Sequence, residues 1–311
     1  MYYSHMNTQP AEAGGAPARN ACPVPPPRGL IGVDFDGTLM RGGVVNPEDL
    51  AALKEAQSAG VPVIVATGRS HFAAEPSVAD LGLKSPHASY DSAWIVTPTG
   101  ERIRDLRIAP DIAREILRGC RDMDVAVRVF LPDRVVLTQD VQPDEVYFKY
   151  RPFEQVDPGI VDTLAEGPMQ MVLVNLDDVR AFHKAFAGTR VEHELQWMLH
   201  GNDPETPHLW VLHVLNKGGK KGEGLAFLCD AWGIDPANTL TFGDGSNDVS
   251  MLQWSGSSVS FPWGSRLAQR AARTITELND PHPIATWVRA WLKSDLAPLT
   301  ESEAHAQVPR P

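Results

Sequence analysis

Cysteine is scarce in this 311-residue chain: Cys22, Cys120 and Cys229, an odd number, widely spaced and with no CxxC pair. That excludes a disulfide framework and a zinc knuckle and fits a reducing compartment. No run of about 20 apolar residues occurs, so no helical membrane span is expected. Residues Met1 to Arg28 lack the continuous apolar core of a secretory leader, which makes the cytoplasm the expected location. Positive charge is also in short supply: 28 Lys and Arg stand against 39 Asp and Glu, a formal net charge of -11. Such an acidic balance argues against nucleic acid or an anionic membrane as the main partner. A phosphorylated substrate would therefore need a metal or local positive charge at its site. His193, His200, His208 and His213 lack HExxH spacing, so they read as ordinary histidines and not as a zinc site. The chain has no internal repeat.

What is present suits a folded enzyme. The chain is 43% hydrophobic, enough to build one large domain or two modest ones. Residues 1–28 and 298–311 are rich in Pro, Ala and polar residues and are expected to be disordered tails. Leu30 to Phe35 is a short apolar run of the kind a buried strand uses. Asn46-Pro47 then supplies an N-cap and a first-turn proline for a helix that Gly60 ends, and Val61 to Ala66 is a second buried strand. Strand, helix, strand implies a parallel pair with a right-handed crossover. The same grammar returns with a helix over Lys221 to Trp232, a strand over Thr239 to Phe242, and helices through Met251 and Leu252, Ser265 to Ala272 and Ile284 to Leu292. Between these lies a different pattern. A hairpin over Trp94 to Ile108 is followed by helices near Asp111–Arg121, Gly159–Glu166 and Asp178–Ala187. These alternate with strands at Val125–Leu131, Val135–Thr138, Met169–Val174 and His208–Leu215. The expectation is an α/β fold with a Rossmann-like parallel-sheet core in two pieces, 29–89 and 211–297, interrupted by an α+β insert at 90–210.

Four clusters carry chemistry. Asp34-Phe35-Asp36-Gly37-Thr38-Leu39 puts two carboxylates at the carboxyl end of the first strand, where open α/β sheets bind ligands. Two such groups suit a nucleophile and a neighbouring proton donor; the plainer reading is a solvated Asp-Gly turn. Val65-Ala66-Thr67-Gly68-Arg69 ends the second strand with a hydroxyl and free backbone N–H groups able to hold a phosphate, although Thr-Gly after a strand is more often just a turn. Gly243-Asp244-Gly245-Ser246-Asn247-Asp248 offers hard oxygen ligands at another strand end, against the alternative of acids decorating a helix N-terminus. Lys217-Gly218-Gly219-Lys220-Lys221-Gly222 fails as a P-loop, because no Ser or Thr follows Gly219-Lys220 and Val214 stands where the first glycine belongs. One of its lysines reads as a phosphate contact, and at least one as a solvated loop residue.

Taken in order, DxDGT, T-G-R, K-G and GDxxND resemble the four motifs of the haloacid-dehalogenase-like hydrolase superfamily, over most of Leu30 to Leu292. The insert falls between the second and third motifs, as in the Cof-type subgroup with its larger α/β cap. The resemblance implies Asp34 as nucleophile, Asp36 as general acid and base, and Thr67, Gly68, Lys221 and Asn247 on the phosphate. It implies Mg²⁺ held by Asp34, Asp244, Asp248 and the backbone carbonyl of Asp36. Lys221 takes the third-motif role because Lys221-Gly222-Glu223-Gly224-Leu225 is similar to the subgroup's KGxAL helix start; Lys217 is the alternative. The chain departs from the subgroup where it enters the cap, with Asp91-Ser92-Ala93 in place of Asn-Gly-Ala. Lys149 and Arg151 are candidates for a second anionic group of the substrate, or members of a solvated basic face. The implied activity is a Mg²⁺-dependent phosphatase of a small phosphorylated metabolite, a sugar phosphate by analogy with the subgroup. The alternatives are a phosphomutase of the same superfamily and a non-catalytic binding protein on its fold.

Overall fold

The computed structural model describes residues 26–140, 154–174, 176–201 and 210–299. Cys22, Lys149, Arg151, His208 and most of both expected tails lie outside the described residues, as do the side chains of His193 and His200.

The elements in chain order are β1 (Leu30–Asp34), β2 (Met40–Arg41), β3 (Val44–Val45), α1 (Pro47–Ser58), β4 (Val63–Ala66), α2 (His71–Asp80), β5 (His87–Ser89), β6 (Trp94–Val96) and β7 (Arg102–Asp105). Next come α3 (Pro110–Asp122), β8 (Arg128–Phe130), β9 (Val135–Leu137), β10 (Glu154–Val156), α4 (Ile160–Thr163), β11 (Gln170–Val174), α5 (Leu176–Phe186), α6 (Arg190–Glu194), β12 (Leu195–Gly201) and β13 (Trp210–Asn216). The chain ends with α7 (Lys221–Trp232), β14 (Thr239–Phe242), α8 (Val249–Trp254), β15 (Ser257–Ser260), α9 (Arg266–Ala271), β16 (Thr274–Ile275) and α10 (Pro283–Lys293).

The larger sheet has the order β16-β15-β14-β1-β4-β5-β6-β7, parallel from β16 to β5 and antiparallel beyond. Its central strands β1 and β4 are near-continuous apolar runs because both faces are covered. Ile31, Val33, Val63, Val65, Leu240 and Phe242 pack under α1 and α10, where Leu53, Trp287 and Trp291 are buried. Leu30, Ile64 and Ala66 face the other way, onto Leu225, Leu228 and Trp232 of α7. Local rules set the elements: the Asn46 side chain accepts from the Glu48 amide at 2.9 Å, with Pro47 in the first turn of α1. β1 sits between β4 and β14, with Asp34 paired to Ala66 and Val33 to Phe242. The ends of three strands thus open together at the point where the strand order reverses, which is where such sheets bind ligands.

The smaller sheet has the order β10-β9-β8-β11-β13-β12 and is mainly antiparallel. One face carries Val129, Met171, Leu212 and Val214 against α3 and α5. The other carries Phe130, Val172 and Val211, which pack on Tyr90, Ala93 and Trp94 of the first unit. This is the α+β cap, seated on the sheet that holds the strand-end clusters.

Several sequence expectations shift. The hairpin expected in the insert, β6–β7, instead continues the larger sheet from β5, while β13 extends the smaller sheet to Asn216. The boundaries drawn at 90 and 210 therefore do not coincide with the change of sheet. A short apolar hairpin satisfies its backbone on any open sheet edge, and its sequence does not say which. The helix expected over Gly159–Glu166 is only Ile160–Thr163. Helix α2 has no counterpart in the sequence reading because Pro76 lies inside it. Among the described residues, no helix is long and apolar enough to cross a membrane.

Candidate active site

The site is assembled from the loops that follow β1, β4 and β14, together with the first residue of α7. Asp34 ends β1 and is buried. The chain then folds back on itself: the Leu39 amide donates to the Asp34 carbonyl at 3.2 Å, and the Met40 amide to that of Phe35 at 2.7 Å. Gly37 turns this corner at φ +84°, and a Cβ there would run into the Asp244 carboxylate. Only glycine allows the first cluster to approach the third so closely. Thr38 completes the contact, its hydroxyl donating to Oδ1 of Asp244 at 2.6 Å.

Lys221 stands at the centre. It has no exposed surface, and its Nζ donates to Oδ1 of Asp34 and to Oδ1 of Asp248, both at 2.6 Å. Asp248 is held in turn by the backbone amides of Asp244 (2.9 Å) and Gly245 (2.7 Å), which donate to its Oδ2. Lys217, by contrast, is exposed in the loop before α7. The structure brings Lys221 to the carboxylates and leaves Lys217 outside.

The electrostatics follow from this crowding. Burial and the neighbouring Asp248 carboxylate push Asp34 well above the usual carboxylate range, with Lys221 opposing. The same two causes push Asp244 up to about 6, against Thr38 and Lys221. Burial alone would lower the pKa of Lys221; Asp248, Asp34 and Asp91 outweigh it and hold the ammonium charged. Asp34, Asp244 and Asp248 each offer an oxygen, all within 4.8 Å of one another. Three carboxylates facing one ammonium leave two negative charges uncompensated. A set of hard oxygens with that excess, crowded enough to push the Asp34 and Asp244 carboxyls up, fits a divalent hard cation.

The remaining residues rim this centre. Asp36 is gripped by the Arg69 guanidinium through Nε (2.6 Å to Oδ2) and Nη2. Thr67 is buried, and its hydroxyl oxygen accepts from the Arg69 amide at 3.1 Å. Gly68 lies beside the side chains of Asn247 and Asp91. Asn247 donates from Nδ2 to Oδ1 of Asp91 at 2.8 Å, and Oδ2 of Asp91 lies 3.4 Å from Nδ1 of His213. The eight residues expected from the sequence thus come together around one strand-end cleft. The sequence reading missed Arg69 as the partner of Asp36, Thr38 as that of Asp244, and the pairing of Asp91 with His213. The first two lie within motifs already singled out; the third joins positions 122 apart in sequence and gives no local signal.

Comparison with known proteins identifies the family. The model of the haloacid dehalogenase-like hydrolase family matches residues 31–288. The chain is similar to the pyridoxal phosphate phosphatase YbhA of Escherichia coli, at 25% identity over 278 residues, covering 85% of this chain and 98% of that one. It is also similar to the HMP-PP phosphatase of Serratia proteamaculans, at 27% identity over 280 residues, 85% of this chain and 96% of that protein. Among solved structures, the subclass IIB sugar phosphatase BT4131 superposes with a TM-score of 0.65 at 18% identity, covering 86% of this chain and 99% of that one, a likeness of fold. The chain belongs to the haloacid dehalogenase-like hydrolase family and is a phosphoric monoester hydrolase of its Cof-type branch.

Proposed function

We propose that the chain is a Mg²⁺-dependent phosphatase that cleaves a small phosphorylated metabolite, a sugar phosphate, through an aspartyl-phosphate at Asp34. The observation that carries this reading is the buried Lys221 ammonium bridging Asp34 and Asp248 beside Asp244, at the joined ends of three parallel strands. Phosphoryl transfer is mainly a matter of positioning and charge neutralisation, and this cluster is built for both. Asp34, Asp244 and Asp248 would hold the Mg²⁺, which supplies positive charge against the repulsion between carboxylate and phosphate.

The chain's own residues perform the steps. Lys221, with the hydroxyl of Thr67, the backbone at Gly68 and the amide of Asn247, holds the phosphate oxygens. An Asp34 oxygen attacks phosphorus in line; the new O–P bond forms as the ester O–P bond breaks. Asp36 gives its proton to the departing alkoxide, and Arg69 fixes where that carboxyl points. Asp36 then takes a proton from a water that attacks the aspartyl-phosphate, which releases inorganic phosphate and restores Asp34. The cap sheet lies over this cleft, keeping bulk water from the intermediate and contacting the organic part of the ester. A small metabolite in the cytoplasm suits an enclosed, capped site on an acidic chain.

The test is a phosphate-release screen with Mg²⁺ across sugar phosphates, nucleotides, pyridoxal phosphate and phosphoglycerate-type esters, with Asp34→Asn as control. Release from a sugar phosphate that Asp34→Asn abolishes is the expected result. An isomerised ester with no free phosphate would favour a phosphomutase instead.

A further inference from the structure

One buried carboxylate at the cleft belongs to none of the four sequence clusters. Asp91, between β5 and β6, has no exposed surface. Both its oxygens are engaged: Oδ1 accepts from Nδ2 of Asn247 at 2.8 Å, and Oδ2 lies 3.4 Å from Nδ1 of His213. Asn247 is on the turn that carries Asp248. His213 is on β13 of the cap sheet, on the same face as Val211, which packs on Tyr90 and Trp94. A single side chain therefore touches the phosphate site of the core and the underside of the cap.

The backbone is distorted to put it there. Tyr90, Asp91 and Ser92 have φ of 50°, 52° and 80°, three consecutive non-glycine residues in the left-handed region that L residues avoid. The turn is held from every side. The Tyr90 amide donates to the Arg69 carbonyl at 2.9 Å and the Asp91 amide to that of Thr67 at 3.0 Å. Arg104 donates to the Ser92 carbonyl at 2.6 Å, and the Tyr90 hydroxyl reaches the Leu131 carbonyl, at the end of the cap strand β8, at 3.1 Å. Ser92 also occupies the space that Gly224 leaves; a Cβ at 224 would collide with it. Distortion so heavily over-determined marks a working position and not a loose turn.

An extra carboxylate beside an anion site has the wrong sign for binding phosphate, so its use must be to hold other groups. Burial would drive Asp91 neutral, but His213, Lys221 and Asn247 outweigh it and keep the carboxyl ionised, at about 2. With one amide hydrogen engaged by Asp91, the Asn247 amide has a second N–H to donate.

We propose that Asp91 is a positioning residue that fixes Asn247 of the core and His213 of the cap against one another, so that the phosphate pocket is complete only when the cap sheet is seated on it. This rests on reading the cleft as a phosphate site. The test is steady-state kinetics with p-nitrophenyl phosphate, with inorganic phosphate as competing product. In Asp91→Ala, KM and the phosphate inhibition constant should rise together by about tenfold, the worth of one charge-assisted hydrogen bond, while kcat changes far less. Asp91→Asn keeps an acceptor for Asn247 and should recover most of that loss. His213→Ala should raise KM by itself but add nothing in an Asp91→Ala background. A residue that only supports the fold would lower the amount of active enzyme without moving KM. Folded Asp91→Ala with both constants within about twofold of the parent overturns the inference. Should Asp91→Ala not fold, the His213→Ala/Asn247→Ala cycle decides: additive effects refute the coupling through Asp91, and non-additive effects support it. A parent enzyme that releases no nitrophenol overturns the phosphatase reading itself; an active parent with an unchanged Asp91→Ala overturns this inference alone.

Discussion

Lys221→Met removes one ammonium while keeping an unbranched side chain only one atom shorter. Its consequences follow from the two 2.6 Å bonds that Lys221 makes to Asp34 and Asp248 without touching solvent. Stability should suffer first. Removing one partner of a buried ion pair costs about 3–5 kcal/mol, because the remaining charges stay buried. Here those charges are carboxylates already pushed toward protonation, Asp244 up to about 6 and Asp34 in the same direction. The deficit of the variant should therefore be largest above about pH 6 and shrink below it, as protons take over the role of the lost cation. Mg²⁺ should restore part of the loss by supplying charge to the same carboxylates. Turnover should suffer as well, since a charged contact on the transferring phosphate is lost: about 3–4 kcal/mol, or roughly 10²–10³-fold in kcat/KM. The assay is urea denaturation at pH 5 and pH 8, with and without Mg²⁺, alongside phosphate release. Lys217→Met is the control, because Lys217 is exposed and should change stability by no more than about 0.5 kcal/mol. If Lys217→Met does the greater damage, or if Lys221→Met matches the parent at pH 8, the assignment of the central cation is wrong.

Further expectations concern the metal, the proton donor and the turn. Excess EDTA should stop turnover and Mg²⁺ restore it. By titration calorimetry, Mg²⁺ affinity should fall as the pH drops through about 6, because protons on Asp244 and Asp34 compete with the cation. Asp36→Asn should cripple cleavage of alkyl phosphates far more than the nitrophenol burst from an aryl phosphate, whose leaving group hardly needs the proton; equal loss of the two phosphorylation rates in rapid-mix experiments would remove Asp36 from that role. Gly37→Ala should cost more than about 1 kcal/mol of stability and impair the metal centre as well, since its methyl group meets Asp244. An active, fully stable Gly37→Ala would show that the turn tolerates a side chain.

The candidate site was legible because its residues sit where strands end. Asp34 and Thr67 each follow a short apolar run, Asp244 follows the strand Thr-Leu-Thr-Phe and a glycine, and Lys221 begins a helix whose Leu225, Leu228 and Trp232 show one apolar face. What was hidden depends on geometry that only the fold supplies. β15 is Ser-Ser-Val-Ser, fully buried yet polar in sequence, and α2 contains Pro76; pattern and propensity both argue against what tertiary packing enforces there. The Asp36–Arg69 pair joins two motifs each read for another purpose. Asp91-Ser92-Ala93 was legible as a departure from the subgroup's pattern, but its meaning is not local. The carboxylate is explained by His213 and Asn247, which the chain brings to it from 122 and 156 positions away.

Asp34 carries the phosphate in the proposed mechanism, and rapid quenching in acid during turnover of a ³²P-labelled sugar phosphate tests that directly. Peptide mapping of the quenched protein should find an acid-stable, hydroxylamine-labile label on the peptide that contains Asp34. The label should accumulate in Asp36→Asn, where its hydrolysis is slowed, and be absent from Asp34→Asn. Phosphate release at the parent rate with no label on that peptide, or with Asp34→Asn fully active, would contradict the account.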